Sequence, residues 1–365
     1  MTNEALAQYA NLSLYSAMAV FTLAMVGYAL YLAGLVPHRD RAAAAVRDEQ
    51  AAVRDEQDAV RDEQAARARA LVSAGMPGGG VTGVDAPVGA GSAAGTDGAA
   101  GAAGADASAV DEKEQVSARA RKAAGIAGTL TWLGGFLLVV SAVLRGASVQ
   151  RWPLGNMFEF AVVGAMFTIL AFSIWSTRRD LRWLGLFVVG PVLLTLGLAI
   201  TVWYTEAAEL LPSLKSVWLA IHVTVATLAT GLFAIAASAT GIYLVKDAFQ
   251  RSGRRSVLDR FPDAPVIERL AYGLHIVAFP LWTFTLIAGA IWARQAWGAY
   301  WNWDPKEVWT FVIWVVYAAY LHARATSGWS RQSANYIALA GWACIVVNYT
   351  VVNMFFVSQH SYSGL

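Results

Sequence analysis

The chain has 365 residues, of which 57% are hydrophobic and 14% are charged, and its mean hydropathy is +0.47. Soluble domains carry about 25% charged residues, so this composition excludes an ordinary soluble protein. The net charge of +2 gives no reason to expect a nucleic-acid partner. The single cysteine, Cys344, excludes an intrachain disulfide, a redox-active cysteine pair and a thiolate metal cluster.

Apolar runs of about 20 residues, the length that spans the hydrocarbon core of a bilayer, recur along the chain. The predicted spans are 13–36, 123–145, 155–176, 183–203, 217–245, 268–292, 307–325 and 336–357. Isolated strands cannot satisfy their backbone groups in lipid, so each run is predicted to be a helix. The sequence therefore predicts an all-α polytopic membrane protein with about eight transmembrane helices. The polar N-terminal segment 1–10 does not resemble a cleavable signal peptide, so we expect the first run to stay in the membrane.

Basic residues alternate from loop to loop and predict the orientation of the spans. The richer set comprises Arg39, Arg41, Arg47, Arg119, Arg121, Lys122, Arg178, Arg179, Arg182, Lys246, Arg251, Arg254, Arg255, Arg260, Arg324 and Arg331. The positive-inside rule puts this set in the cytoplasm. Both termini are then expected outside, together with the loops 146–154, 204–216 and 293–306.

A cytoplasmic insertion, 37–122, is predicted between an N-terminal transmembrane helix, 1–36, and a transmembrane bundle, 123–365. Its three AVRDEQ heptads start at Ala45, Ala52 and Ala59. Each heptad offers one valine to an apolar seam, which predicts a short charged helix, because a stable coiled coil needs two apolar positions per heptad. The Gly/Ala-rich stretch 75–110 has no periodicity and is predicted to be disordered.

The segment 292–309, which we call the Trp loop, carries the sharpest chemical signal, WGAYWNWDPKE from Trp297 to Glu307. Five of the 15 tryptophans fall between Trp297 and Trp314. An interfacial aromatic belt explains one or two tryptophans at a span end, but not a run of Trp, Tyr and Gly within the loop. Asp304 is suited to cap the next helix and Glu307 to close a capping box, so the loop is predicted to be ordered. Its indole faces suit a large flat aromatic ligand.

Two of the five histidines are predicted on the same side of the membrane as the Trp loop. His222 lies near the outer end of the fifth span and His360 just beyond the eighth. Either one alone would more often be an ordinary polar residue, but together beside an aromatic platform they suit bis-imidazole ligation of heme iron. His322 follows Asp304 by 18 residues, which predicts a separation of about 27 Å along one helix. A histidine within a span is a functional candidate by default.

For two further groups of polar residues, an ordinary structural role competes with a functional one. The segment WPLGNMFEF, 152–160, brings Asn156 and Glu159 to the start of the third span. These side chains are suited either to cap that helix or to anchor the platform of the Trp loop. His38 and His275 are expected to be ordinary polar residues.

WGAYWNWDPKEVW followed by YLHAR resembles the tryptophan-rich signature of the WWD family of heme-handling proteins. Within that family, WDPKE followed by YLH resembles the CcsA/ResC type of cytochrome c biogenesis protein. The segments WPLGNMFEF, LPSLKSVWLAIHV and VNMFFVSQHSYSGL agree with this type. The resemblance covers residues 120–365, whereas the repeat-bearing insertion is absent from compact members.

The resemblance implies a set of heme-binding residues. His222 and His360 match the two external ligands of heme iron, and His322 matches a transmembrane heme ligand. The remaining implied heme-binding residues are Trp297, Trp301, Trp303, Asp304 and Trp309. The family's second transmembrane ligand comes from a ResB-type membrane subunit, so that subunit is an implied partner. Heme b and apocytochrome c are the implied substrates.

The implied function is that of a cytochrome c synthase component in the cell membrane, with its active face extracytoplasmic. With the ResB-type subunit it would act as a heme lyase that attaches heme through thioethers to the CxxCH motif of apocytochrome c. Asp304 and Glu307 are expected to orient the loop, and no side chain is expected to act as a general base. A heme exporter or chaperone without ligation activity remains the alternative. A b-type electron-transfer protein is disfavoured, because that class usually pairs histidines of one chain within the bilayer.

Overall fold

The computed structural model describes residues 3–35, 53–54, 57, 61, 118–210, 214–254 and 256–360. These residues contain eight helices that are long and apolar enough to cross a membrane. They are α1 Glu4–Gly34, α2 Ala118–Val149, α3 Met157–Ser176, α4 Arg182–Thr201, α5 Leu219–Arg251, α6 Ala264–Trp297, α7 Pro305–Ala325 and α8 Arg331–Phe355. The predicted all-α polytopic membrane fold is confirmed, and no strand occurs within the described ranges.

Several helices extend beyond the predicted apolar runs, because capping groups rather than hydropathy determine where they end. α6 continues past residue 292 until Gly298 ends it with a φ of 85°, a conformation that glycine adopts at no steric cost. α7 begins at a capping box in which the Asp304 side chain accepts from the Lys306 backbone and Glu307 accepts from the Asp304 backbone. This capping box confirms the predicted start of the helix. The Trp loop is thus held between two defined helix ends.

Helix α5 lies at the centre of the packing and contacts α3, α6 and α8. One apolar core is built mainly by α1, α3, α4 and α5, and a second by α5, α6, α7 and α8. In the second core, the Phe233 ring stacks on Tyr317 with ring centroids 4.0 Å apart. Because lipid tails are as apolar as these side chains, close van der Waals packing and hydrogen bonds hold such helices together.

Buried ion pairs connect helices at both ends of the bundle. Near the Trp loop, the carboxylate of Glu159 in α3 lies 3.0 Å from Arg145 and 2.8 Å from Arg151. At the opposite end, Glu268 of α6 lies 2.8 Å from Arg324 of α7. Removing one partner of a buried pair leaves an uncompensated charge and costs about 3–5 kcal/mol. These pairs therefore hold the helix ends in register.

Beyond residue 35, the segment between α1 and α2 is described only at residues 53, 54, 57 and 61, which are helical. The predicted charged helix otherwise lies outside the described residues, as do the predicted disorder of 75–110 and His38. Residues Met1–Ala33 and Arg119–Leu365 form one compact unit, and this unit contains every residue of the candidate site.

Candidate functional site

A cavity opens between α3, α5, α6, α7 and α8 at the end of the bundle that carries the Trp loop. It holds about 1280 Å³ of empty space, including a part that is open to solvent, and its walls are mostly apolar. Its lining includes His222, His360, Trp297 and Trp301. Residues from three separate parts of the sequence therefore meet at one space.

His222 lies in a π-helical turn, Leu219–Val223, at the start of α5. Such turns are rare in proteins, and those that do occur are often at functional sites. The Nδ1 atom of His222 lies 3.0 Å from the carbonyl oxygen of Thr285 in α6. One turn further along α6, Gly289 makes room for the imidazole, because a Cβ there would lie 2.8 Å from Cε1 of His222. The ring of Trp292 meets the imidazole edge-on with centroids 5.7 Å apart.

His360 lies in the segment that follows α8 and is held by the cap of α7. Its Nδ1 atom lies 2.8 Å from Oδ2 of Asp304, and Oδ1 of Asp304 accepts from the Gln359 backbone at 2.8 Å. Burial acts to raise the pKa of the Asp304 carboxyl, but hydrogen bonds from His360, Gln359 and Lys306 outweigh it and lower the pKa. The Trp297 ring lies against the imidazole with centroids 4.7 Å apart. Asp304 thus ties the C-terminal segment to the Trp loop.

Both imidazoles have the same tautomer, as their hydrogen-bond partners require. The Thr285 carbonyl and the ionised Asp304 carboxylate can only accept, so Nδ1 carries the proton in His222 and in His360. In the neutral form of each ring, the lone pair is then on Nε2. A histidine that donates from one ring nitrogen and offers the other is the usual form of a metal-ligating histidine.

The four predicted tryptophans divide into two groups. Trp297 and Trp301 line the cavity, whereas Trp303 and Trp309 do not. Trp303 is 77% exposed and has a φ of 56°, which is unusual for a bulky residue. Its ring meets that of Trp301 edge-on with centroids 5.7 Å apart. Only half of the predicted indoles therefore form the cavity wall, and Trp303 contacts that wall from outside through Trp301.

Trp292, Lys306 and Asn348 are among the residues of the cavity lining that were not predicted from the sequence. Asn348 begins a second π-helical segment, Asn348–Val352, within α8. The Nζ atom of Lys306 donates to the Asn348 carbonyl oxygen over 2.8 Å. Asn348 could have been found from the sequence, because it is an amide within an apolar span, and polar groups in spans usually face the bundle interior.

Asn156 shows the capping role that the sequence left open, whereas the contacts of Glu159 lead to the segment after α4 and leave its predicted role in anchoring the Trp loop a prediction. Asn156 caps α3 by accepting from the Glu159 backbone at 2.8 Å. Glu159 binds Arg145 and Arg151. Arg145 also donates to the Thr205 carbonyl oxygen, and Arg151 donates to the Ala208 carbonyl oxygen at 2.9 Å. The segment after α4 is thereby attached to the wall of the cavity.

The two histidines in the other half of the bundle have different surroundings. His322 is exposed near the end of α7, and its Nε2 lies 3.4 Å from the Thr326 hydroxyl. His275 is buried in α6, and its Nδ1 lies 2.8 Å from the Ala271 carbonyl oxygen. Neither residue lines the cavity.

Comparisons with known proteins match the part of the chain that forms the cavity. Residues 151–359 match the model of a family described as cytochrome c assembly protein. The chain belongs to this family. Its similarity to proteins named cytochrome c biogenesis protein CcsA confirms the CcsA-type resemblance and places the chain in cytochrome c biogenesis.

Three of these relatives illustrate the extent of the similarity. The Guillardia theta protein is 33% identical over an alignment of 242 residues that covers 59% of this chain and 77% of the relative. The protein of a Picosynechococcus species is 32% identical over 289 residues, covering 60% of this chain and 83% of the relative. The Prochlorococcus marinus NATL1A protein is 35% identical over 255 residues, covering 62% and 81%. The family match spans the cavity residues from Leu154 to Asn353 and ends one residue before His360.

Proposed function

We propose that the chain is the component of a cytochrome c synthase that holds heme b between His222 and His360. The observation that supports this proposal is that two histidines, each with Nδ1 bound to an acceptor, line one aromatic-walled cavity. Bis-imidazole ligation requires two such Nε2 lone pairs. Within the described ranges, no group of three or more His, Cys, Asp or Glu is suited to hold a bare metal ion. Two axial ligands suffice when a porphyrin supplies the other four.

The surroundings of the two imidazoles fit a porphyrin between them. The Trp292 ring contacts the imidazole of His222 and the Trp297 ring contacts that of His360, which restricts the rotation of both imidazoles. Gly289 leaves the space that the His222 ring needs. Indole rings at the wall favour a flat aromatic ligand through stacking and through burial of apolar area.

The role of the chain in thioether formation is to position heme and expose its vinyl groups at the mouth of the cavity. In each attachment, a cysteine sulfur of CxxCH loses its proton and bonds to the inner carbon of a vinyl group, and the terminal carbon of that group gains a proton. The step adds a thiol across a double bond and changes no oxidation state. Holding reacting groups in a productive geometry accounts for much of such catalysis. The histidine of CxxCH then takes the place of one of the two imidazoles on iron.

Charge and exposure support the proposed orientation and the proposed partner. The loops at the Trp-loop end are poor in Lys and Arg, so this end is assigned to the extracytoplasmic side of the cell membrane. His322 lies exposed near the opposite end of α7. An exposed histidine on a span is suited to share a second heme with a histidine of a ResB-type subunit, which would supply heme from the inner side.

The proposal is tested by co-expressing the chain with a ResB-type subunit and an apocytochrome c. His222→Ala and His360→Ala are expected to lose heme from the purified complex, and imidazole in the medium is expected to restore it by filling the vacant iron position. His275→Gln, a buried change away from the cavity, serves as the control and should keep heme. Retention of the bis-imidazole spectrum by both alanine variants would disprove the ligand assignment.

Covalent attachment separates a synthase from a heme exporter. The apocytochrome is purified after co-expression and its heme is extracted with acidified acetone. A synthase leaves heme on the cytochrome after extraction, and this product should disappear when Ala replaces His222 or His360. Heme on the complex without any covalent cytochrome product would favour the exporter.

A further inference from the structure

Lys306 is a cationic side chain in the first turn of α7 that lines the cavity. An ammonium group has three N–H donors. One of them binds the Asn348 carbonyl oxygen at 2.8 Å, and this is the hydrogen bond that Nζ makes among the described residues. The side chain is partly buried, and the cavity is the space beside it. Donor capacity thus remains available toward a ligand.

Lys306 forms no ion pair with a carboxylate in the described part of the chain. Asp304 acts on its charge only from beyond ion-pair distance, and the two oxygens of Asp304 already accept from His360 and from two backbone N–H groups. Oε2 of Glu307 accepts two backbone N–H groups, and its Oε1 is buried without a hydrogen-bond partner among the described residues. A cation in a membrane span is costly, and such residues face a partner, a pathway or a ligand. The arrangement therefore calls for an anion that enters with the ligand.

We propose that Lys306 binds a propionate carboxylate of heme and thereby selects the orientation of the porphyrin in the cavity. This inference rests on the proposed function, since it assumes that heme occupies the space between His222 and His360. Two axial imidazoles alone allow the porphyrin to rotate about the axis that joins them. A charge-assisted hydrogen bond to one carboxylate removes that freedom. The vinyl groups, which are attached away from the propionates, then have a fixed position relative to the mouth of the cavity.

The test compares heme with heme dimethyl ester, which lacks both carboxylate charges but keeps the porphyrin and the iron. Binding of each to the purified complex with its partner subunit is followed by the absorbance of the bis-imidazole species. The wild-type complex is expected to bind heme at least about tenfold more tightly than the ester, which corresponds to about 1.4 kcal/mol. In Lys306→Gln, this preference is expected to fall to within about twofold. Lys306→Arg, which keeps a cation, should retain most of it.

A matched control is available on the same side of the protein. Lys215 is exposed and lies 3.4 Å from Glu209, and it does not line the cavity. Lys215→Gln should therefore leave the preference for heme over its ester unchanged.

The possible outcomes are distinguishable. A wild-type complex that binds the ester as tightly as heme overturns the role of Lys306 without any variant, while the heme site stands. A preference that survives in Lys306→Gln overturns it as well, because the ester is then rejected for its size. A wild-type complex that binds neither compound contradicts the proposed function itself.

Discussion

The Nδ1 atom of His360 donates to Oδ2 of Asp304 over 2.8 Å, and the same carboxylate caps α7. One side chain thus orients the C-terminal imidazole and begins the helix that follows the Trp loop. Its Oδ1 atom accepts from the Gln359 backbone. The position of His360 therefore depends on both carboxylate oxygens.

Asp304→Asn is predicted to weaken heme binding without unfolding the protein. Asparagine is a good N-cap, so α7 keeps its start. It has one acceptor oxygen in place of two, and cannot serve both Gln359 and His360. Loss of such a supporting hydrogen bond typically costs about 10–100-fold in metal affinity. A heme titration measures the loss, and Asp263→Asn, at an exposed helix start without a side-chain cap, should show none.

The pH dependence of stability should report the same carboxylate. The folded pKa of Asp304 lies below its usual value of 3.8, so its contribution is fully present above pH 3.8. The contribution is lost as the pH falls through the lower folded pKa. The difference in melting temperature between wild type and Asp304→Asn should therefore be constant at neutral and mildly acidic pH and shrink only below 3.8. A difference that disappears near pH 6 would contradict this assignment.

Gly289→Ala is predicted to displace the His222 ring. A Cβ at this position would lie 2.8 Å from Cε1 of His222, and the imidazole cannot move without breaking its bond to Thr285. We expect heme affinity to fall by at least about tenfold, the effect of roughly 1.4 kcal/mol of lost ligation. Gly273→Ala is the control in the same helix, since nothing lies within 4 Å of its Cβ. Equal heme affinity in the two variants would show that the ring tolerates the methyl group.

Trp301→Ala and Trp303→Ala are predicted to differ in heme affinity, because only Trp301 lines the cavity. Trp301 is partly buried and lines the cavity, so bound heme would cover it; full burial of a large apolar side chain is worth about 1.5–3 kcal/mol, or roughly 10–100-fold in affinity. Trp303 is 77% exposed and outside the lining, so its variant should bind heme within about twofold of wild type. The two affinities are measured by the same titration. A larger loss for Trp303 than for Trp301 would mean that the loop closes over heme in another conformation.

Local patterns made most of the fold predictable. A membrane span depends on about 20 consecutive apolar residues, and the capping box depends on Asp304 and Glu307 three positions apart, so neither needs knowledge of the tertiary structure. Charge alternation and span count were sufficient to predict His222 and His360 near one end of the bundle, where both line the cavity.

Sequence patterns could not predict the contacts that complete the site. The partner of His222 is the Thr285 carbonyl, 63 residues away, and it depends on how α5 packs on α6. The contact between Lys306 and Asn348 depends on a π-helical segment that has no local signal in an apolar span. Exposure of Trp303 likewise follows from a positive φ that no tryptophan pattern predicts.

Glu159→Gln is predicted to loosen the cavity wall and to destabilise the protein. The carboxylate is 1% exposed and neutralises Arg145 and Arg151, which are 4% and 11% exposed. Removing it leaves two guanidinium groups without a counter-charge, and breaking a buried pair costs about 3–5 kcal/mol. Both arginines also hold carbonyl oxygens of the segment after α4, so that segment should become more accessible to protease.

The matched control for this change is Glu209→Gln, because Glu209 is 80% exposed and pairs with Lys215 at the surface. Surface pairs contribute about 0–1 kcal/mol, so its melting temperature should stay close to wild type. Thermal unfolding in detergent and limited proteolysis measure the two effects. If Glu159→Gln has the same melting temperature as Glu209→Gln, the two arginines have found other partners. The segment after α4 is then held by its own packing rather than by the buried charges.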